Sequence, residues 1–274
     1  MSKKTPTADL IVFPQWKAEA RAMPNVVVRS SLFTARNAKT PRVYRRRETL
    51  VVIGPGEIEY TGEELRQDDE DVLMCLVNLA RKLFGNDELA NPENRYRTPF
   101  NRGTLISELG WTRNARSYQR LKNCLTRLKA TELVVKVSSA DLDAGYSVSL
   151  LTEYGWFEDD YWVEIPALFF RLYGNQYTAI SWEQRQQLPA GLARWLMGYC
   201  LSHREPLPIK METVARGAGL KVPETSEDRK EMRRRLRNAA KALKDAGILL
   251  EAGVYNDKFV YEKMPPKLAS QDDD

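Results

Sequence analysis

Residues Thr225 to Gly247 read TSEDRKEMRRRLRNAAKALKDAG. Met232, Leu236, Ala239 and Leu243 recur at spacings of four, three and four, which draws one apolar stripe down a helix. At roughly 100° per residue, Lys230, Arg234, Arg237 and Lys241 fall opposite that stripe. Thr225 followed three residues later by Asp228 predicts a capping box, and Gly247 a stop. The acids Glu227, Asp228 and Glu231 sit early, where the helix dipole favours them, and later turns are almost wholly basic. A helix that is merely soluble usually alternates signs to form i,i+4 pairs. The pattern predicts a docked helix whose outer face meets a polyanion.

Working outward, Met211 to Ala218 makes a short helix closed by Gly219-Leu220, and Gly191 to Ser202 an earlier one with Leu192, Trp195, Leu196, Tyr199 and Cys200 on one side. After the basic helix, Ile248 to Glu251, Gly253 and Phe259 to Glu262 predict a hairpin. The same order stands earlier in the chain. Asp68 to Asp71 lead into a helix buried through Val72, Leu73, Leu76, Leu79, Ala80 and Leu83. Thr104 to Leu109 is a short helix that stops at Gly110-Trp111, and Asn114 to Thr131 is the helix after it. Glu132 to Val137 and Tyr146 to Thr152 are then expected as the wing strands, with Trp162 to Ile165 as a further strand. Helix-turn-helix followed by a hairpin is the winged-helix layout. The expected fold class is therefore α+β, with two tandem winged-helix domains.

The expected divisions are an extended N-terminal arm over 1–48, a first winged-helix domain with a preceding β-hairpin over 49–180, a second over 181–264, and a disordered acidic tail over 265–274. Pro6, Pro14, Pro24 and Pro41 punctuate the arm, which ends in a basic knot at Arg42, Arg45, Arg46 and Arg47. Gly54-Pro55-Gly56 is a hairpin turn, since no Walker motif follows it.

In a helix-turn-helix, side chains on the outer face of the second helix meet DNA, with phosphate contacts supplying affinity and base-edge contacts specificity. The first such helix offers Arg113, Asn114, Arg116, Gln119, Arg120, Asn123 and Arg127, a mixture able to read bases. The second offers Lys230, Arg233, Arg234, Arg237, Asn238 and Lys241, with Arg234, Arg237 and Asn238 the base-reading candidates. Plain solvation is the competing account of each of these side chains.

Composition excludes other classes. The chain has 274 residues, a net charge of +5 and a hydrophobic fraction of 43%, ordinary for a globular protein with basic patches. Cys75, Cys124 and Cys200 are far apart with no CxxC pair, which argues against zinc and disulfides and for buried thiols in a reducing cytoplasm. No apolar run approaches a membrane span, and no signal-peptide core is present, so a cytoplasmic location is expected. His203 is the single histidine, so a His-pair metal centre is impossible. With no nucleophile motif either, neither catalysis nor a cofactor or metal is expected. Trp156, Phe157 and Tyr161 could stack single-stranded bases, but Glu158, Asp159 and Asp160 interleave with them and favour packing instead.

Several segments resemble TrfA-type plasmid replication initiators: Ala22-Met23-Pro24-Asn25, Ser31-Leu32-Phe33-Thr34 with Arg36-Asn37, and Lys39-Thr40-Pro41-Arg42. Tyr60-Thr61-Gly62, Leu109-Gly110-Trp111, Ser147 to Leu151 and Ser202-His203-Arg204-Glu205-Pro206 continue the resemblance in the family's order. It implies an initiator that binds direct repeats (iterons) at a plasmid origin as a monomer and promotes melting of an adjacent AT-rich region. It also implies recruitment of the host initiator and helicase, contact with single-stranded DNA of the melted region, and a monomer–dimer balance that limits copy number. Within it, Thr104 to Thr131 is the first helix-turn-helix, with Arg127 a matched polar residue. Ser31-Leu32-Phe33 is also similar to sliding-clamp-binding peptides ending in Leu-Phe, without their leading Gln. The alternative on the same architecture is a transcriptional repressor or partition-site binder. A repressor more often pairs one module by symmetry over a palindrome.

Overall fold

The structure is a computed structural model that describes residue 17 and residues 19–89, 95–139, 142–174 and 176–265. β1 (Ala20–Pro24), α1 (Asn25–Val28), β2 (Phe33–Thr34), β3 (Tyr44–Leu50), β4 (Glu57–Glu63) and β5 (Leu65–Arg66) come first. α2 (Gln67–Leu89) is followed by β6 (Tyr96–Asn101), α3 (Arg102–Glu108), α4 (Ala115–Lys129), β7 (Glu132–Ser139), β8 (Leu142–Val148), β9 (Glu153–Phe157) and β10 (Asp160–Ile165). α5 (Ala167–Phe170), β11 (Tyr177–Ser181) and α6 (Trp182–Gln187) connect to the last third. There, α7 (Leu192–Ser202), β12 (Ile209–Lys210), α8 (Met211–Gly217), α9 (Ser226–Asp245), β13 (Leu249–Tyr255) and β14 (Lys258–Lys263) complete a mixed α/β protein.

One arrangement occurs twice. A helix (α2 or α7) leads to a strand, two helices and a hairpin, and the strand pairs with the second arm of that hairpin. The sheet orders are β6-β10-β9 and β12-β14-β13. Tyr96 pairs with Ile165 and Asn101 with Asp160 in the first, and Ile209 with Phe259 in the second. The second hairpin turns through Asn256 and Asp257, with φ of 48° and 57°. Positive φ at both central residues matches the right-handed twist of the flanking strands, and Asn and Asp tolerate it better than most side chains.

The first hairpin is not where the sequence pattern placed it. Glu132 to Val148 form β7 and β8, which extend the β3–β4 hairpin into the four-stranded sheet β3-β4-β7-β8. Ile58 pairs with Val135 and Tyr60 with Leu133, and all four are at most 1% exposed. Burial against β4 captures this β-branched run, and β9 with β10 takes the hairpin position beside α4.

From Ala20 to Ala35, the segment expected as an extended arm is part of the core, whereas residues 36–48 are half-buried or exposed. β1 pairs antiparallel with β11, Met23 is fully buried, and Trp195 Nε1 donates to the Ser30 carbonyl at 3.1 Å. α1 lies against α7 at Gly198, where an added Cβ would meet Val28 at 3.2 Å. The apolar runs Ala22-Met23 and Val26 to Val28 outweigh the proline punctuation, and Pro24 itself serves as N-cap of α1. The rest of that arm before residue 17, and the tail beyond residue 265, lie outside the described residues.

The acids Asp68 to Asp71 do more than favour a helix dipole. Asp69 is fully buried and accepts four hydrogen bonds, from Arg42, from the Arg66 backbone N–H and two from Arg127. Glu70 and Asp71 are held by Arg185 of α6, and Asp71 also by Arg194 of α7. One end of α2 is thereby ionically joined to α4 and, through Arg185 and Arg194, to α6 and α7.

Candidate nucleic-acid interface

α9 is positioned by the cap and stripe that its sequence specifies. Thr225 Oγ1 accepts from the Asp228 N–H at 3.1 Å, and the Asp228 carboxylate accepts from the Thr225 N–H at 3.3 Å. Hydrogen bonds from Lys221 and from Thr225 hold the Asp228 carboxyl down at about 2. Met232, Leu236, Ala239 and Leu243 are between 0% and 4% exposed, so the opposite face is fixed outward.

On that face Lys230, Arg234, Arg237, Asn238 and Lys241 are exposed. Arg234 pairs with Glu231 at 2.7 Å and Lys241 with Asp245 at 2.7 Å. Among the described residues, Lys230, Arg237 and Asn238 have no hydrogen-bond or ion-pair partner. Arg233 differs. Its guanidinium grips both Asp257 oxygens, at 2.5 and 3.0 Å, and so holds the turn of the β13–β14 hairpin against the helix.

α4 is capped by Asn114, whose side chain accepts from the Ser117 N–H at 2.9 Å. Arg113, Arg116, Gln119, Arg120 and Asn123 are exposed. Arg113 donates to Ser107 at 2.7 Å, and Gln119 to Asn123 at 2.8 Å. Arg120 lies 3.9 Å over the Trp111 ring and 3.4 Å from Asp68. Arg116 has no hydrogen-bond or ion-pair partner among the described residues.

Arg127, expected as a contact, instead turns inward and donates twice to Asp69, with its side chain 11% exposed. Burial works against its charge, and the Asp69 carboxylate more than offsets this, so its pKa is raised. A guanidinium so engaged is not free for DNA. The peptide similar to clamp-binding segments meets the same objection. Leu32 and Phe33 are each 2% exposed, and the Phe33 carbonyl accepts from Gln67. A partner cannot reach them in this fold.

Some features of this face escaped the sequence pattern. Lys122 sits 4.2 Å over Trp156, which stacks between Tyr154 and Tyr161 with centroids 5.9 and 6.0 Å away. Trp156 and Phe157 remain 49% and 79% exposed near the β9–β10 turn. Basic and aromatic spacing alone could not place this hairpin beside α4, because the competing hairpin at β7–β8 has the stronger strand pattern.

Asp68, Asp69 and Cys124 bring potential ligand atoms within 4.8 Å of one another. They do not fit a metal. Arg42, Arg120 and Arg127 already occupy the two carboxylates, and burial pushes the Cys124 thiol well up.

Fold and site together define a mixed α/β protein that presents two outward polar helix faces, the second strongly cationic, each followed in the chain by a three-stranded sheet's hairpin. The family model "TrfA protein" matches residues 4–264, and the chain belongs to that family. It is 32% identical over 262 residues to the plasmid replication initiator protein TrfA of Escherichia coli, covering 90% of this chain. The chain spans 63% of that relative's length. Among solved structures, RctB domains 2–3 are similar at 15% identity and a TM-score of 0.49, over 77% of this chain and 83% of that one. The WH1 domain of the replication protein MSBI1.176 is similar at 17% identity and a TM-score of 0.27, over 38% of this chain and 79% of that one.

Proposed function

We propose that the chain is a plasmid replication initiator that binds duplex origin DNA through two tandem winged-helix units, one within 49–180 and one within 181–264. In this reading α4 and α9 are the recognition helices, and the β9–β10 and β13–β14 hairpins are the wings. The observation that carries it is the exposed, unpartnered set Lys230, Arg237 and Asn238 on α9, in a chain belonging to the TrfA family. Arg237 suits a guanine edge and Asn238 an adenine edge, while Lys230 and Lys241 suit phosphates. On α4, Arg116, Gln119, Arg120 and Asn123 take the corresponding roles, with Arg113 near the helix start.

Two unlike recognition helices in one chain suit an asymmetric repeat read by a monomer. The activities implied by the family follow from that: binding to iterons, melting of an adjacent AT-rich segment, recruitment of host initiator and helicase, and copy control by self-association. Nothing in the site calls for catalysis, and the reading places the protein in the cytoplasm with the plasmid.

The test is selection of bound duplexes from a random library, followed by footprinting of the winner. An asymmetric site with contacts over about two helical turns, present as tandem copies on the parent plasmid, is the expected result. A palindrome bound by a dimer would replace initiation with the repressor reading. Only salt-sensitive binding with no selected sequence would remove both.

A further inference from the structure

Between α4 and α9 lies a cleft of about 510 Å³. Arg36, Arg42, Arg66, Arg120 and Arg235 line it, against the single lining carboxylate of Asp68. Four of these arginines are accounted for. Arg42 and Arg120 bind Asp68, Arg36 binds Glu64 at 2.7 Å, and Arg66 binds Glu64 at 2.6 Å and the carbonyls of Asn37 and Thr40. Arg235 is not. It is half-buried on the flank of α9, and among the described residues no hydrogen bond or ion pair holds its guanidinium. Glu231, one turn back, is held by Arg234 through two hydrogen bonds. A partly desolvated cation with no hydrogen-bonded counter-ion is costly, and an anion bound in the cleft would supply one. Burial accordingly pulls the Arg235 pKa below its ordinary value, with Glu231 opposing and Arg234 adding to the fall.

The same cleft is bordered by Arg120 from one candidate recognition helix and by Asn238 from the other. The first turn of α7 also opens on it through Gly191, Leu192 and Ala193, with no side-chain cap and no acid in that turn. Its free N–H groups add to the positive potential set by the arginines.

We infer that this cleft is a phosphate clasp, in which Arg235 binds a backbone phosphodiester of the duplex segment lying between the stretches read by α4 and α9. The inference rests on the duplex-binding reading above and deepens it. α4 and α9 read bases, and the clasp fixes the spacing between the two reads without reading sequence.

The test uses the full chain, the selected duplex, and the variants Arg235→Gln and Arg235→Lys. For Arg235→Gln, the slope of log affinity against log salt should shrink by about 0.9, the value for one phosphate contact. Affinity should fall about tenfold, with the selected sequence unchanged. Arg235→Lys should restore most of the slope. A neutral methylphosphonate placed between the two read segments should weaken the wild type and leave Arg235→Gln unaffected. The DNA-free variant should melt no lower than the wild type, because no protein partner is lost; a clear fall would mark Arg235 as structural and overturn the clasp. An unchanged salt slope with sequence-selective binding intact would overturn the clasp and leave the duplex reading standing. Inorganic phosphate that stabilises the wild type saturably but not Arg235→Gln, with the DNA slope unchanged, would reassign the cleft to a free anion. Loss of selective duplex binding by the wild type itself would remove both readings.

Discussion

Arg185 Nε donates to Asp71 Oδ1 at 2.6 Å, with the arginine side chain fully enclosed and the aspartate 1% exposed. The same guanidinium reaches Glu70 at 2.9 Å and Gln67 at 3.2 Å. It lies on α6, between the two repeated arrangements, while its acceptors lie on the first turn of α2. This pair therefore helps to join the units on which α4 and α9 ride.

Removing only the cation should be costly. Arg185→Ala leaves Glu70 and Asp71 buried with Arg194 as the remaining cation nearby, and loss of one partner of a buried pair costs about 3–5 kcal/mol. Urea denaturation should show an unfolding free energy lowered by that amount, seen as a lower midpoint at an unchanged slope. A change below about 1 kcal/mol, the scale of an exposed pair, would show that the network is not a latch.

Arginines that look alike in sequence should separate by experiment. Arg127→Ala deprives the buried Asp69 of two charge-assisted bonds and should cost about 1–3 kcal/mol of stability. Arg234→Ala with Arg237→Ala removes exposed side chains and should leave stability within about 0.5 kcal/mol. The double variant should nevertheless abolish selective duplex binding, each base contact being worth about 1–3 kcal/mol. Thermal melting and a binding isotherm on the same samples check both halves. Unchanged binding at physiological salt would end the recognition role of α9.

The contrast shows what the sequence could and could not reveal. α9 was legible to its cap because Thr225, Asp228 and the apolar stripe are local signals within one helix. α4 and its Asn114 boundary were legible for the same reason. Inward and outward arginines were not separable, since Arg127 meets the buried Asp69 and Arg120 the half-buried Asp68, and both acids come from a helix distant in the chain. The wing of the first unit failed likewise. β7 carries the better strand pattern, but its partners on β4 lie 71 to 79 residues earlier in the chain, and such long-range pairing leaves no local trace. Arg235 falls between the two faces of its helix, and only the neighbouring units turn that flank into a cleft wall.

The cap that orders α9 also has a measurable share. Thr225→Ala removes the acceptor for the Asp228 N–H and should cost about 1 kcal/mol, with fraying confined to the first turn. Hydrogen exchange of the amides from Ser226 to Arg229 reports this directly. Replacement by Ser should keep protection near the wild-type level, since its hydroxyl fills the same position. Equal loss in both variants would mean that the threonine methyl, not the hydroxyl, orders the start of the helix.

His203, the single histidine, gives stability a defined pH dependence near neutrality. Burial lowers its pKa below 6.5; its bond to the Tyr199 carbonyl opposes the fall, and Arg29 and Lys263 add to it. As pH drops through 6.5 the unfolded chain binds a proton that the folded chain still refuses, so stability is lost on acidification until the folded pKa is passed. Above 6.5 both states are neutral at this site and its contribution is flat. Melting temperature should therefore fall between pH 7 and pH 5.5, and His203→Asn, whose amide can still donate to the Tyr199 carbonyl, should flatten the part of that slope due to this residue. An identical slope in the variant would show that His203 is not the source of the acid sensitivity.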